Sequence, residues 1–220
     1  MIKIENLNKY FLTPDNSKNS IYKDLNLEIQ EGDIISILGK SGTGKTTLLN
    51  MFSGLEDFQS GKLTINNTPI ENLTNNEKTH FRAQNISFIF QNFNLIDNLT
   101  VSENIDLIVE LNKGERRFST IEILKKVGLE DKKDSYPFNL SGGEQQRIAV
   151  ARAFIAKTPI LLADEPTGNL DKNNSDNIIK IILDLHRESK NTIILITHDL
   201  EIAQIADKIY SVENYSLKKQ

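Results

Sequence analysis

The most restrictive feature of this chain is the run Gly39-Lys40-Ser41-Gly42-Thr43-Gly44-Lys45-Thr46, set between an apolar stretch, IISIL at 34–38, and a helix-like one, TTLLNMF at 46–52. A glycine, four residues and Gly-Lys-Ser/Thr, after a strand and at the start of a helix, form a loop whose backbone N–H groups wrap an anion. Glycines let the backbone approach phosphate oxygens closely, at a helix end that already favours negative charge. In this pattern Lys45 supplies a point charge for the β- and γ-phosphates of a nucleotide, and the Thr46 hydroxyl is placed to hold Mg²⁺. An accidental match in a chain this long is expected on the order of one time in a hundred or less, and the strand-loop-helix context lowers that further.

Two downstream segments extend this reading. Ile160-Leu161-Leu162-Ala163-Asp164-Glu165 is an apolar strand ending in two carboxylates, at the edge where ligands of a parallel sheet bind. Two acids after a strand are by themselves a solvated loop start. Behind an upstream phosphate loop they become a Mg²⁺ partner, Asp164, acting directly or through a bound water, and a polariser of the attacking water, Glu165. Between the two elements, Leu140-Ser141-Gly142-Gly143-Glu144-Gln145-Gln146-Arg147 combines a capping serine with two flexible glycines at a helix start. That is a second ready anion site, which a lone domain does not obviously use.

Around these motifs the first third reads as sheet, with β-rich runs at 2–4, 25–29, 33–38, 62–65 and 86–90 and a polar hairpin tip at 13–20. Residues 100–129 change to helical spacing, with Ile105, Ile108, Val109 and Leu111 on one stripe and Ile121, Leu124, Lys125 and Val127 around another turn pair. After Ser141 the order is helix, strand 160–163, helix 173–187, strand 192–196, helix 200–206 and strand 208–212. Strands with continuous apolar runs alternating with helices predict a parallel sheet covered on both faces. A length of 220 residues with 38% hydrophobic side chains suits one domain with an embedded smaller one.

Composition narrows the function. A net charge of −4 and a pI near 5.5 give no general attraction to nucleic acid or anionic lipid. The absence of cysteine excludes disulfides, thiolate metal sites and cysteine nucleophiles, and fits a reducing compartment. The longest apolar runs, at 34–38, 159–163 and 192–197, are far short of the ~18 residues that span a bilayer. No signal-peptide stretch opens the chain, so a cytoplasmic location without membrane insertion is expected.

In family order, Gly39 to Thr47, Gln91, Leu140 to Arg147, Ile160 to Glu165, Asn169-Leu170-Asp171 and His198 make the sequence resemble the ATP-binding subunits of ABC transporters over nearly its whole length. The resemblance implies an α/β fold of the P-loop NTPase type: a mostly parallel central sheet, an antiparallel β subdomain and a helical subdomain. Residues 1–220 then form a single ATP-binding domain, with 1–90 the β subdomain and phosphate loop, about 91–140 the helical insert, and 141–220 the remaining catalytic core. It implies that Gly39, Ser41, Gly42, Thr43, Gly44, Lys45, Thr46 and Thr47 bind ATP. Tyr10 matches the aromatic that stacks on adenine, with Phe11 as its rival. Gln91 matches the glutamine that touches Mg²⁺ and water and leads to the insert facing a membrane partner. His198 matches the histidine that contacts the γ-phosphate. Ser141, Gly142, Gly143 and Glu144 match the signature turn that closes over the ATP of a second subunit, and Asp171 a loop that contacts that subunit. His80 and His186 match nothing and are expected at the surface.

The resemblance further implies ATP hydrolysis by a homodimer formed on ATP binding, and an integral-membrane permease as partner holding the subunit on the inner face of the cell membrane. Phe90 to Leu95 and Asp164 to Asp171 look like the group serving lipoprotein release, macrolide or peptide export, antimicrobial-peptide resistance and cell division. Bacteriocin or lantibiotic export and immunity subunits share the compact insert around Lys113 to Phe118 and the glycine-poor C-terminus. A regulatory or scaffold ATPase of cell-division or assembly type stays open as the alternative. An ATPase acting on chromosomes is disfavoured by a single phosphate loop, the absence of sustained heptads and the acidic pI.

Overall fold

A computed structural model describes residues 2–40, 42–112 and 115–220. The chain forms two compact units, Met1–Arg82 with Thr192–Gln220, and Ala83–Asn191.

The first unit is built on strands. β1 (Ile2–Leu12) pairs antiparallel with β2 (Lys18–Ile29) and with β4 (Ser60–Ile65), which pairs in turn with the short β5 (Thr68–Pro69). Alternation in β1 and β2 buries Ile2, Ile4, Leu7, Leu25, Leu27 and Ile29 on one face. Gly61 makes this sheet possible: it has a φ of 98°, and a Cβ there would stand 2.4 Å from the Leu7 Cα.

The apolar β3 (Ile34–Leu38) lies parallel between β8 (Thr192–Thr197) and β9 (Lys208–Glu213), with Ile35 opposite both Ile194 and Lys208. A strand with parallel neighbours on both sides is buried on both faces, which explains why every residue of β3 but the buried Ser36 is apolar. β10 (Ser216–Lys219) folds back antiparallel on β9. The helices of this unit are α1 (Lys45–Phe52) and the four-residue α7 (Leu200–Ala203), while α2 (Asn75–Asn85) carries the chain into the second unit.

The second unit holds the parallel pair β6 (Ile86–Ile89) and β7 (Ile160–Asp164) and the helices α3 (Val101–Asn112), α4 (Thr120–Lys126), α5 (Gly142–Ile155) and α6 (Lys172–Ser189). Its centre is α5, whose residues from Ile148 to Ala151 are completely buried. Asn104 of α3, also buried, fixes the preceding loop by donating to the carbonyls of Ile96, Leu99 and Thr100 and accepting from the Ile96 N–H.

Several expectations change in detail. The strand expected at 2–4 runs on to Leu12, and that at 25–29 begins at Lys18, so the hairpin tip is shorter than 13–20. α7 stops at Ala203 rather than 206. Of the residues placed by helical spacing, Ile105, Val109, Leu124 and Val127 are buried, joined by Ile123, whereas Leu111 and Ile121 are exposed. Helix α2 and strands β5 and β10 were not foreseen.

Candidate active site

In the first unit the topology brings two sequence candidates to one sheet edge. Leu38 pairs with Thr197, so Gly39 and His198 are the next residues out of adjacent parallel strands, where ligands of such sheets bind. His198 is exposed there. Gly44 caps α1 with a φ of 96°, and a side chain at that position would meet Ile21 Cγ2 at 2.4 Å; only glycine fits without displacement. Below the loop, the fully buried Tyr22 donates its hydroxyl to the Gly44 carbonyl at 3.1 Å. Burial pushes the Tyr22 phenol well above its ordinary 10.0, which keeps it a donor.

Lys45 is buried, and its ammonium donates to the carbonyls of Gly39 at 2.6 Å and Lys40 at 2.9 Å. Its charge is therefore held inside the loop curve. Thr43 donates to the Lys40 carbonyl at 2.9 Å, and Gly42 adopts a φ of 80°. Thr46 and Thr47 follow in the first turn of α1, Thr46 exposed and Thr47 half-buried. Among the described residues no side chain caps this helix, and its first turn has no acidic residue. The end of α1 thus keeps the polarity that attracts an anion. Ser41 lies outside the described residues.

Tyr10 is half-buried on β1, with the Lys18 ammonium 4.7 Å from its ring centroid. Gln59 latches it by accepting from the Tyr10 N–H at 2.9 Å and donating to the Tyr10 carbonyl at 3.1 Å. These bonds continue the β4 side of β1 beyond its last paired rung, Asn8 with Ser60. Phe11 is 40% exposed, under the Lys9 ammonium.

The second unit repeats the edge arrangement. Ile89 pairs with Ala163, which puts Gln91 and Glu165 each two residues beyond the same rung. Their side chains meet over Gly168: a Cβ there would lie 3.0 Å from Gln91 Nε2 and 3.3 Å from Glu165 Oε2. Asn169 closes the group by donating to the Gln91 carbonyl at 3.1 Å and to Asn92 Oδ1 at 3.0 Å. Glu165 has a φ of 46°, a left-handed conformation uncommon outside glycine and enriched where function demands it. Asp164, half-buried, ends β7. Arg152 of α5 fixes the loop after Gln91 by donating to the carbonyls of Phe93 at 2.7 Å and Asn94 at 2.5 Å.

The Ser141 turn is a capping box. The Ser141 hydroxyl accepts from the Glu144 N–H at 3.4 Å, and Glu144 accepts from the Ser141 N–H at 2.8 Å and hydroxyl at 2.7 Å. The Ser141 hydroxyl and N–H hold the Glu144 carboxyl below its ordinary 4.5. The two glycines do not act as flexible joints. Both are helical, and a Cβ on Gly143 would approach Asn174 Oδ1 to 2.6 Å, whereas one on Gly142 meets nothing closer than 3.7 Å. Asn174 also donates to Asp171 through its backbone at 2.9 Å and its side chain at 2.7 Å. Asp171 caps α6 and is thereby tied to the Ser141 turn through one side chain, and its carboxyl is lowered by the same Asn174 bonds.

Tyr22, Gln59, Gln146, Asn169 and Asn174 are site residues to which sequence reasoning gave no role. They act through buried or lateral amide and hydroxyl contacts that no local spacing announces. His80 is exposed as expected; His186 is half-buried with an unpartnered buried Nδ1, because the strongly amphipathic α6 turns it toward the packed side.

The family model described as ABC transporter matches residues 22–168. The chain belongs to the ABC transporter family. It is 38% identical over 216 residues, 97% of its length and 87% of the relative's, to an uncharacterised ABC transporter ATP-binding protein of Mycobacterium tuberculosis. It is 38% identical to the ABC transporter ATP-binding protein YtrE of Bacillus subtilis, covering 99% of this chain and 97% of that one. A macrolide export ATP-binding/permease protein, MacB of Mannheimia succiniciproducens, is 39% identical over 97% of this chain, which spans 33% of the MacB length. A solved dimeric post-hydrolysis ATP-binding cassette with ADP and phosphate superposes with a TM-score of 0.88 at 33% identity, covering 100% of this chain and 98% of that one. The fold is accordingly the α/β P-loop ABC ATPase fold, and the chain is an ABC transporter ATP-binding subunit that binds nucleotide and hydrolyses ATP.

Among the described residues no cluster of three or more His, Asp or Glu forms a metal site by itself. The expected Mg²⁺ donors, the Thr46 hydroxyl, the Gln91 amide oxygen and the Asp164 carboxylate, are all hard oxygens with one charge among them. That set fits Mg²⁺, which retains water and is bound through one or two carboxylates plus substrate phosphates.

Proposed function

We propose that residues 1–220 act as one ATP-binding domain that dimerises around two Mg-ATP, each phosphate loop meeting the Ser141 turn of the other copy. One observation carries this reading: the chain has 33% identity, over its full length, to a cassette solved as a dimer with hydrolysis products. The chain also carries one phosphate loop and one signature turn, with Ser141 and Gly142 exposed.

In this reading Tyr10 stacks on adenine. Gly39, Ser41, Gly42, Thr43, Gly44, Lys45, Thr46 and Thr47 hold the phosphates, and Lys45 neutralises the charge that builds on the γ-phosphoryl oxygens. Thr46, Gln91 and Asp164 would hold Mg²⁺, which would offset the negative charge of the phosphates. Glu165 orients water for in-line attack and accepts its proton, Gln91 holds that water from the side, and His198 donates to the γ-phosphate. Ser141, Gly142, Gly143 and Glu144 present a helix end to the partner's ATP, with Asp171 at the same interface.

Closure would drive a separate integral-membrane permease, placing the protein at the inner face of the cell membrane. A relative that joins the two functions in one name supports this, as does the finding that no helix among the described residues is long and apolar enough to cross a membrane. The cargo class we favour is a peptide, lipid or drug moved outward. Glu165→Gln tests the chemistry: turnover falls about 10²- to 10⁴-fold, the range for a lost general base, and a loss under threefold contradicts it. Capture from detergent-solubilised membranes tests the role. A polytopic permease supports transport, and soluble assembly factors alone would move the protein to the scaffold class.

A further inference from the structure

We propose that Gln146 is a positioning residue for hydrolysis, holding Glu165 and Gln91 at their working distance from each other. This rests on the reading of Glu165 as the water-orienting carboxylate.

Gln146 lies five residues beyond Ser141 on α5 and is completely buried. Its amide nitrogen donates to the Pro166 carbonyl at 2.6 Å and faces the Phe90 carbonyl at 3.5 Å. Those carbonyls are adjacent in sequence to the two side chains that meet over Gly168: Pro166 follows Glu165, and Phe90 precedes Gln91. One amide therefore spans both loops at the point where each leaves its strand. Its other end has no such use, for Gln146 Oε1 is buried without a hydrogen-bond partner among the described residues. An apolar side chain of similar length would avoid that unpaired oxygen. The amide is thus poorly explained by packing alone and well explained by the two carbonyls it bridges.

The backbone at Glu165 gives the bridge a task. A φ of 46° at a glutamate persists only when its surroundings over-determine it, and the Gln146 bond grips the carbonyl of the very next residue. Pro166 has no N–H to anchor from the other side. Because Gln146 rides on the helix that Ser141 caps, a shift of the signature helix is transmitted to the Pro166 carbonyl, one residue beyond Glu165.

The test is steady-state ATPase kinetics of Gln146→Leu, with Gln146→Met as a second length-matched variant, alongside thermal unfolding. The expected result is a kcat lowered about 10- to 100-fold, the scale for a sub-ångström to ångström misplacement of a reacting group. KM for ATP stays within about threefold, since the phosphate loop is untouched, and the thermal midpoint is unchanged or raised. In a Glu165→Gln background the same change lowers the residual rate less than threefold, because the group it positions has been removed. Wild-type kcat in either folded variant overturns the proposal. So does a kcat loss that recurs in full in the Glu165→Gln background, or one accompanied by an equal loss of thermal stability. A Glu165→Gln protein with undiminished turnover overturns instead the reading on which the proposal rests.

Discussion

Two helix ends in this molecule carry the residues that define its family, and they are finished in opposite ways. α1 begins at Gly44 with no capping side chain among the described residues, no acid in its first turn, and a buried lysine ammonium curled into the loop. α5 begins at Ser141 with a closed capping box, in which the Ser141 and Glu144 N–H groups are met by its own carboxylate and hydroxyl. The first is built to receive an anion from outside. The second already has two of its donors engaged, and offers an anion the glycine backbone between them. In the dimer proposed above, binding at the first end is then the stronger step and closure by the second the weaker, reversible one.

The largest expected effect comes from the open end. Lys45→Ala removes the charge proposed to meet the β- and γ-phosphates and should lower turnover by at least about 10²- to 10³-fold, the cost of losing a preorganised electrostatic partner. The same variant loses the thermal stabilisation that saturating ATP gives the wild type, about 2.7 kcal/mol at a hundredfold excess over Kd, as read by scanning fluorimetry. Ser141→Ala, at the closed end, keeps that ligand-induced shift. If Ser141→Ala abolished it too, the division between the two ends would be wrong.

The two glycines of the signature turn sharpen the comparison at intermediate scale. Gly143→Ala forces a Cβ to within 2.6 Å of Asn174 Oδ1 and breaks the link to Asp171, so unfolding measurements should find a loss of about 1–3 kcal/mol, typical of overpacking. Gly142→Ala has room and should unfold within about 0.5 kcal/mol of the parent, as ordinary surface changes do.

The smallest effect is in pH. Glu77, Glu103, Glu122 and Glu144 all sit in hydrogen-bonded helix starts that hold their carboxyls below the ordinary 4.5. A carboxyl lowered on folding adds stability that is fully present above its unfolded value and disappears as pH falls through its folded one. The thermal midpoint should therefore decline as pH drops below 4.5, and Ser141→Ala should flatten that decline slightly. A midpoint that rose on acidification would contradict the assignment.

Much of this was legible in the sequence because the chemistry is carried by short contiguous motifs. The apolar runs of β3, β7 and β8, the phosphate loop and the two carboxylates were all readable in place, as were most helices after Ser141. Helix α2 escaped because its eleven residues bury only Lys78 and Phe81; its one signal was the Thr74-to-Glu77 capping box, where Thr74 donates to Glu77 at 2.8 Å. β10 escaped because its turn uses Asn214 and Tyr215 at φ of 48° and 64°, where glycine would have marked it. The supporting amides, Gln59, Gln146, Asn169 and Asn174, were illegible for a different reason: each joins segments far apart in the chain, and nothing in local spacing encodes a partner 20 or 78 residues away.

The central claim is that one reaction centre is assembled from the open helix end of one copy and the closed helix end of another. Small-angle scattering of the Glu165→Gln protein at saturating Mg-ATP measures this directly. The account predicts a molecular mass of twice 24.9 kDa, reverting to a single copy when Lys45 is also changed to alanine. A mass of one copy at saturating nucleotide, or a dimer that forms equally well without ATP, would contradict it.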